Sequence, residues 1–190
     1  VLVGSALFPD RFAARSEALI LTPVMLLWIN LVTDGLPALA LGVDPASPDV
    51  LERDPRGTDE SVIDRRVVPP ILAIGGSLTV VGLAMFFEAL LTFGSLVVAQ
   101  TLLFTFFVAS EMGVIQVIRR RFGHGPFSNR WLVGAVVASL CLQLSVLYTP
   151  LADLFGVYGM GAPGWTRVLV AALVVVTANY GLSVVLDRTE

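Results

Sequence analysis

Apolar residues run through this chain in long blocks, not in the two-residue alternation of a half-buried strand. The blocks cover residues 18–43, 67–93, 95–118, 131–148 and 165–186. A membrane-crossing helix takes about 20 apolar residues, so each block predicts one span, the fourth a little short. The expected fold class is all-α, a polytopic transmembrane helical bundle of about five spans. Residues 1–8 are apolar but too short to cross, and read as the end of a helix that starts before Val1.

The polar segments between the blocks differ in character. Residues 44–66 carry Arg53, Arg56, Arg65 and Arg66, and residues 119–130 carry Arg119, Arg120, Arg121 and Arg130. Phe93-Gly94 predicts a tight turn. Residues 149–164 are rich in Gly and Pro and hold no basic residue. With loops 44–66 and 119–130 and the C-terminus on one side, nine of the twelve Arg fall there, against Arg11, Arg15 and Arg167 on the other. Basic residues concentrate in cytoplasmic loops, so the nine-Arg side is expected to be cytoplasmic. Trp131, Tyr148 and Trp165 stand at span ends, where interfacial aromatics belong.

Composition agrees. The chain is 56% hydrophobic and 14% charged, with a mean hydropathy of +0.84; an average soluble domain carries about 25% charged residues. The net charge of −3 suggests no nucleic-acid partner. The single cysteine, Cys141, rules out an intrachain disulfide. The absence of Lys hints at a GC-rich bacterial gene, and a bacterial plasma membrane is the expected location. The first residues form no signal peptide, and the chain reads as a piece of something longer.

One span departs from the pattern. The stretch WINLVTDGLPALALG, residues 28–42, places Asn30, Thr33, Asp34, Gly35 and Pro37 inside an apolar block. On a regular helix, spacings of three and four bring Asn30, Thr33 and Asp34 onto one face. A carboxylate near mid-membrane costs about 2.5–3.5 kcal/mol on insertion scales, so Asp34 must face protein or water. Pro37 has no N–H for the Thr33 carbonyl, and it pushes Leu36 away from the α region. Gly35 lowers resistance to unwinding. The expectation is a span unwound near Gly35–Pro37, with freed carbonyls beside the Asp34 carboxylate. All of these groups are oxygen donors of the kind hard cations take, and broken helices are where membrane proteins build midplane cation sites. The bland alternative is a structural kink with Asp34 paired or protonated.

The same residues carry a resemblance. N-L-V-T-D-G-L-P-A, preceded by LLWI and followed by ALG and an acidic, Pro-containing loop, resembles the sixth transmembrane helix of calcium-type P-type ATPases. The five spans and the long polar loop after the first agree. The resemblance extends over residues 1–190 and implies the C-terminal membrane domain of such a pump, from the end of its fifth helix to its tenth. It implies that Asn30, Thr33 and Asp34 coordinate the transported ion. Asp54-Pro55-Arg56 is similar to a P-P-R in the family's cytoplasmic connector.

A second intramembrane carboxylate is Glu111, in SEMGVIQVIRRR. It lies eight residues, about 12 Å, from Arg119, and Gln100 sits three turns earlier on the same face. A buried carboxylate at this depth is functional by default; an interhelical hydrogen bond or snorkelling is the alternative. Two-site calcium pumps carry a Glu in the corresponding eighth helix, and their one-site relatives lack it. The two-site pumps follow this Glu with Asn residues where Val114 and Val117 stand here. One site and two therefore both stay open.

Other polar residues predict less. Glu88 falls near the outer end of its span, at the interface. Gln143 and Asn179 are single amides for which interhelical hydrogen bonds suffice. His124 has no partner in sequence for a metal.

The aspartyl-phosphate signature D-K-T-G-T and a phosphate-cradling Gly-rich loop do not occur in these 190 residues. ATP and Mg²⁺ would be handled in the pump's other domains, so the expected partners are the lipid bilayer, the preceding helices and the cytoplasmic domains of the same pump. Ca²⁺ leads as the transported cation, with Mn²⁺, Mg²⁺ and Na⁺ open. The rival reading is a stand-alone, non-catalytic membrane protein that binds cations or partners; a passive channel is weaker, since one kinked helix supplies no symmetric pore.

Overall fold

The computed structural model describes residues 19–44 and 68–187. The expected helix end at 1–8, the arginines of loop 44–66 and the last three residues lie outside the described residues. Within them there is no strand, and five helical stretches are long and apolar enough to cross a membrane. They are Pro23–Leu41, Val68–Phe93, Leu96–Arg121, Arg130–Tyr148 and Ala162–Val185.

The first span has three parts: α1 (Pro23–Trp28), a π-helical turn (Ile29–Thr33) and α2 (Gly35–Leu41). Thr22 caps α1, accepting from the Met25 N–H at 3.3 Å, and Pro23 opens it, at the position where a missing N–H costs nothing. Then follow α3 (Val68–Phe93), α4 (Leu96–Arg121), α5 (Arg130–Tyr148), the short α6 (Leu151–Phe155) and α7 (Ala162–Asp187).

The break in the first span falls earlier than expected. Gly35–Pro37 is regular α-helix, and the departure is the π turn just before it. Asp34 N–H bonds to the Ile29 carbonyl, five residues back, at 2.9 Å, and Ala38 N–H then bonds to the Asp34 carbonyl at 3.0 Å. The reason lies in Pro37. A helix that restarts at Gly35 puts Pro37 in its first turn, where N–H groups have no intrahelical acceptor. Moving the irregularity upstream thus removes the cost of the proline.

The helix at the bundle's centre is α4. It packs against α3, α5, α7 and the π turn, and its buried residues, among them Leu102, Phe104, Val108 and Val114, point in all directions, as in a helix surrounded by others. The neighbours keep an outward apolar face: Leu72 and Val80 on α3, and Leu169 and Leu173 on α7 are exposed, as lipid-facing positions must be. The hairpin between α3 and α4 turns at Gly94, whose φ of 64° suits glycine alone, and Ser95 caps α4.

Residues 149–164, expected to be a loop, contain α6. Its Phe155 stacks on Phe104 (6.1 Å between centroids) and meets Trp28 edge-on at 5.1 Å. Beside it, Trp165 Nε1 donates to the Tyr148 hydroxyl at 2.6 Å, and that hydroxyl donates to the Met160 carbonyl at 2.7 Å. The sequence pattern missed α6 because five residues show no periodicity. With five helices among the described residues long and apolar enough to cross a membrane, the protein is a multi-pass integral membrane protein.

Candidate functional site

The π turn shapes the candidate site. The Ile29 carbonyl accepts both the Asp34 N–H and, at 2.8 Å, the Thr33 hydroxyl. A regular helix would align Asn30, Thr33 and Asp34. A π turn takes more residues per turn, so residues four apart stay aligned and the one three away rotates off. Thr33 is accordingly wholly buried, whereas Asn30 and Asp34 are exposed in the chain as described.

Asp34 stands at the N-cap of α2, yet its side chain makes no capping bond. Its carboxylate is therefore left for other partners. Across from it, α4 delivers Glu111, whose carboxylate lies beside the Asp34 carboxylate and the Thr33 hydroxyl. Glu111 Oε2 is buried with no hydrogen-bond partner among the described residues. Two carboxylates and a hydroxyl from two helices thus converge at mid-span. Pro37 supplies no N–H to the Thr33 carbonyl. Adjacent carboxylates repel, and a shared cation or proton relieves them.

The structure brings together Thr33, Asp34 and Glu111, with Asn30 on the exposed side of the same turn. Gln100 is used elsewhere: its Nε2 donates to the Leu19 carbonyl at 2.6 Å, tying the start of α4 to the segment before α1. Glu88 is 47% exposed and pairs with Arg167 at 2.9 Å. Gln143 Nε2 bonds to Thr105 Oγ1 at 3.3 Å and Asn179 Nδ2 to Ser77 Oγ at 2.8 Å, both between helices. Among the described residues no group of three His, Cys, Asp or Glu side chains clusters as a metal centre; His124 joins none.

Sequence reasoning missed a polar knot at the far end of α2. Arg119, counted above only for orientation, is buried and bonds Asp44 through both carboxylate oxygens. Asn129 joins them from the start of α5. The Arg119 guanidinium holds the Asp44 carboxyl below the usual carboxylate range, with Asn129 and His124 adding to the effect against a smaller cost of burial. No local pattern links residues 75 positions apart.

Comparison with known proteins fits this geometry. The family model described as "Cation transporting ATPase, C-terminus" matches residues 18–184. A calcium-transporting ATPase of Bacillus subtilis (strain 168) is 35% identical over 157 residues, which is 78% of this chain. Calcium-transporting ATPase 1 of Bacillus cereus is 32% identical over 84% of this chain. Calcium-transporting ATPase 3, endoplasmic reticulum-type, of Arabidopsis thaliana is 32% identical over 78% of it. The matched regions make up 17%, 20% and 18% of those proteins, so this chain spans about a fifth of their length. With its five apolar spans and the family match over nearly all of its length, the chain belongs to the cation transporting ATPase C-terminus family.

Proposed function

We propose that this chain is the C-terminal membrane domain of an ATP-driven cation pump, and that Asn30, Thr33, Asp34 and Glu111 furnish part of its transmembrane ion site. The observation that carries this reading is the approach of Glu111 on α4 to Asp34 and Thr33 at the π turn. Two carboxylates at mid-membrane are costly without a compensating charge, and a transported cation supplies it. Ca²⁺ is the cation we assign, from the oxygen-only donor set and the names of the relatives.

Asn30 and Asp34 are exposed on the first span, and a charge facing lipid is disfavoured. The preceding helices of the same pump cover that face in our reading, and complete the ion's coordination. The stand-alone alternative leaves Asp34 against lipid. Phosphoryl transfer from ATP through an aspartyl phosphate, with its Mg²⁺, belongs to the pump's cytoplasmic domains. Loops 44–66 and 119–130 and the C-terminus face that side, in what we take to be a bacterial plasma membrane.

The test uses the full-length pump in membrane vesicles, with ATP-dependent phosphorylation measured across Ca²⁺, Mn²⁺, Mg²⁺ and Na⁺. We expect Ca²⁺ to support it, Asp34→Asn to abolish the ion dependence in a folded protein, and Asn30→Ala and Thr33→Ala to weaken it less. Unchanged ion affinity in Asp34→Asn overturns the site.

A further inference from the structure

The polar knot at the end of α2 is built more completely than an orientation signal requires. Arg119 is 3% exposed. A guanidinium has five N–H donors, and the donor atoms here make five bonds. Nε and Nη2 hold Asp44 Oδ2 and Oδ1 at 2.9 and 2.8 Å. Nη2 also reaches Ser128 Oγ at 2.8 Å. Nη1 donates to the Gly125 carbonyl at 3.2 Å and to Gln116 Oε1 at 3.4 Å.

Asn129 extends the knot to a third span. Its Nδ2 donates to Asp44 Oδ1 at 3.0 Å and to the Ala40 carbonyl at 2.8 Å. Its Oδ1 accepts from the N–H groups of Trp131 and Leu132, capping α5. Ala40 lies in the last turn of α2, where its carbonyl takes the Asn129 amide besides the Val43 N–H at 3.3 Å, and Asp44 N–H bonds back to the Leu41 carbonyl at 3.0 Å. The end of α2 is thus fastened to α4 by Arg119 and to α5 by Asn129.

A buried ion pair adds little net stability over apolar packing, because desolvation offsets the attraction. What a bidentate, fully bonded Arg does supply is fixed geometry. Here the geometry has a consequence for the carboxylates. Both α2 and α4 run toward the knot. Asp34 precedes Asp44 by ten residues and Glu111 precedes Arg119 by eight, about 12 Å along the helix. The helix bearing Asp34 is short, and behind Asp34 lies the π turn, where regular helical bonding is interrupted. A short lever with an irregular joint at one end takes its position from whatever holds the other.

We propose that the Arg119–Asp44–Asn129 clamp sets the spacing between Asp34 and Glu111, which makes Arg119 a positioning residue for cation affinity. This rests on the reading of Asp34 and Glu111 as ion ligands. Arg119 itself touches neither carboxylate; it acts through α2.

The experiment is equilibrium ⁴⁵Ca²⁺ binding and Ca²⁺-dependent ATP turnover by the purified full-length pump. Arg119→Gln is expected to weaken apparent Ca²⁺ affinity by roughly tenfold, within the range for residues that couple to a site without touching it, and to leave turnover at saturating Ca²⁺ unchanged. Arg119→Lys keeps the charge but loses the fork, and falls between. Asp44→Asn added to Arg119→Gln costs no further affinity, since the clamp is already open. Where Arg119→Gln does not fold, Asn129→Asp serves: it keeps the cap oxygen, loses the donor to Ala40, and is expected to weaken affinity as well. Folded variants that bind Ca²⁺ like the wild type overturn the clamp. Asp34→Asn, run alongside, separates the two readings. If it abolishes binding while the clamp variants do not change affinity, only the clamp fails. If it too binds Ca²⁺ normally, the ion site fails and the clamp reading fails with it.

Discussion

Gly113 on α4 lies so close to Val176 on α7 that a Cβ placed on it would collide with Val176 Cγ2. The contact sits two residues beyond Glu111, so the packing of α4 against α7 and the placement of the carboxylate share one stretch of helix.

Gly113→Ala therefore forces Val176, a β-branched residue with one strongly preferred helical rotamer, to give way. Such overpacking costs about 1–3 kcal/mol, partly offset by the roughly 1 kcal/mol that Ala gains over Gly in a helix. The purified full-length pump should lose thermal stability with Gly113→Ala and recover most of it with Val176→Ala added. A stabilised Gly113→Ala variant would contradict the close approach.

Glu111→Gln separates a ligand from a bridge. Gln keeps shape and hydrogen bonding but removes the charge. If Glu111 is a ligand, ⁴⁵Ca²⁺ stoichiometry per phosphoenzyme falls from two to one, or affinity drops by about 1–3 kcal/mol, the cost of leaving a buried polar partner unpaired. Identical stoichiometry and affinity remove Glu111 from the site and leave a single site around Asp34.

Acid should open the clamp late. The Asp44 carboxyl is held below its ordinary value, first by the hydrogen bonds from Arg119 and then by Asn129, Arg119's charge and His124. A group with a depressed folded value stabilises fully above its unfolded value, near 4, and loses that contribution as pH falls through the folded one. Wild type should therefore outlast Asp44→Asn in thermal inactivation from neutrality down to about pH 4, with the gap closing only below. A gap that closes near neutral pH would show that Asp44 does not carry the effect.

Orientation is checked by cysteine labelling in a Cys141→Ala background. Phe127, 82% exposed in the α4–α5 connection, is a better reporter than its neighbour Ser128, whose hydroxyl is engaged with Arg119. Phe127→Cys should react from the cytoplasmic side and Gly161→Cys from the other. Reaction of both from one side would refute the topology.

The chain's local pattern determined much of this. Span number and most span ends follow from block length, because a bilayer demands about 20 apolar residues whatever they pack against. Asn30, Thr33, Asp34 and Pro37 announced an irregular, oxygen-rich turn, since proline chemistry and intramembrane charge act through neighbours in sequence. Where the helix breaks was decided differently. Restarting at Gly35 accommodates Pro37 in a first turn, and the π turn that results buries Thr33 while leaving Asn30 and Asp34 outward. Glu111 stands 77 residues from Asp34, and Asp44 stands 75 from Arg119. Neither approach is written in any local rhythm; each depends on how α2, α4 and α5 pack side by side, and only the tertiary structure sets that.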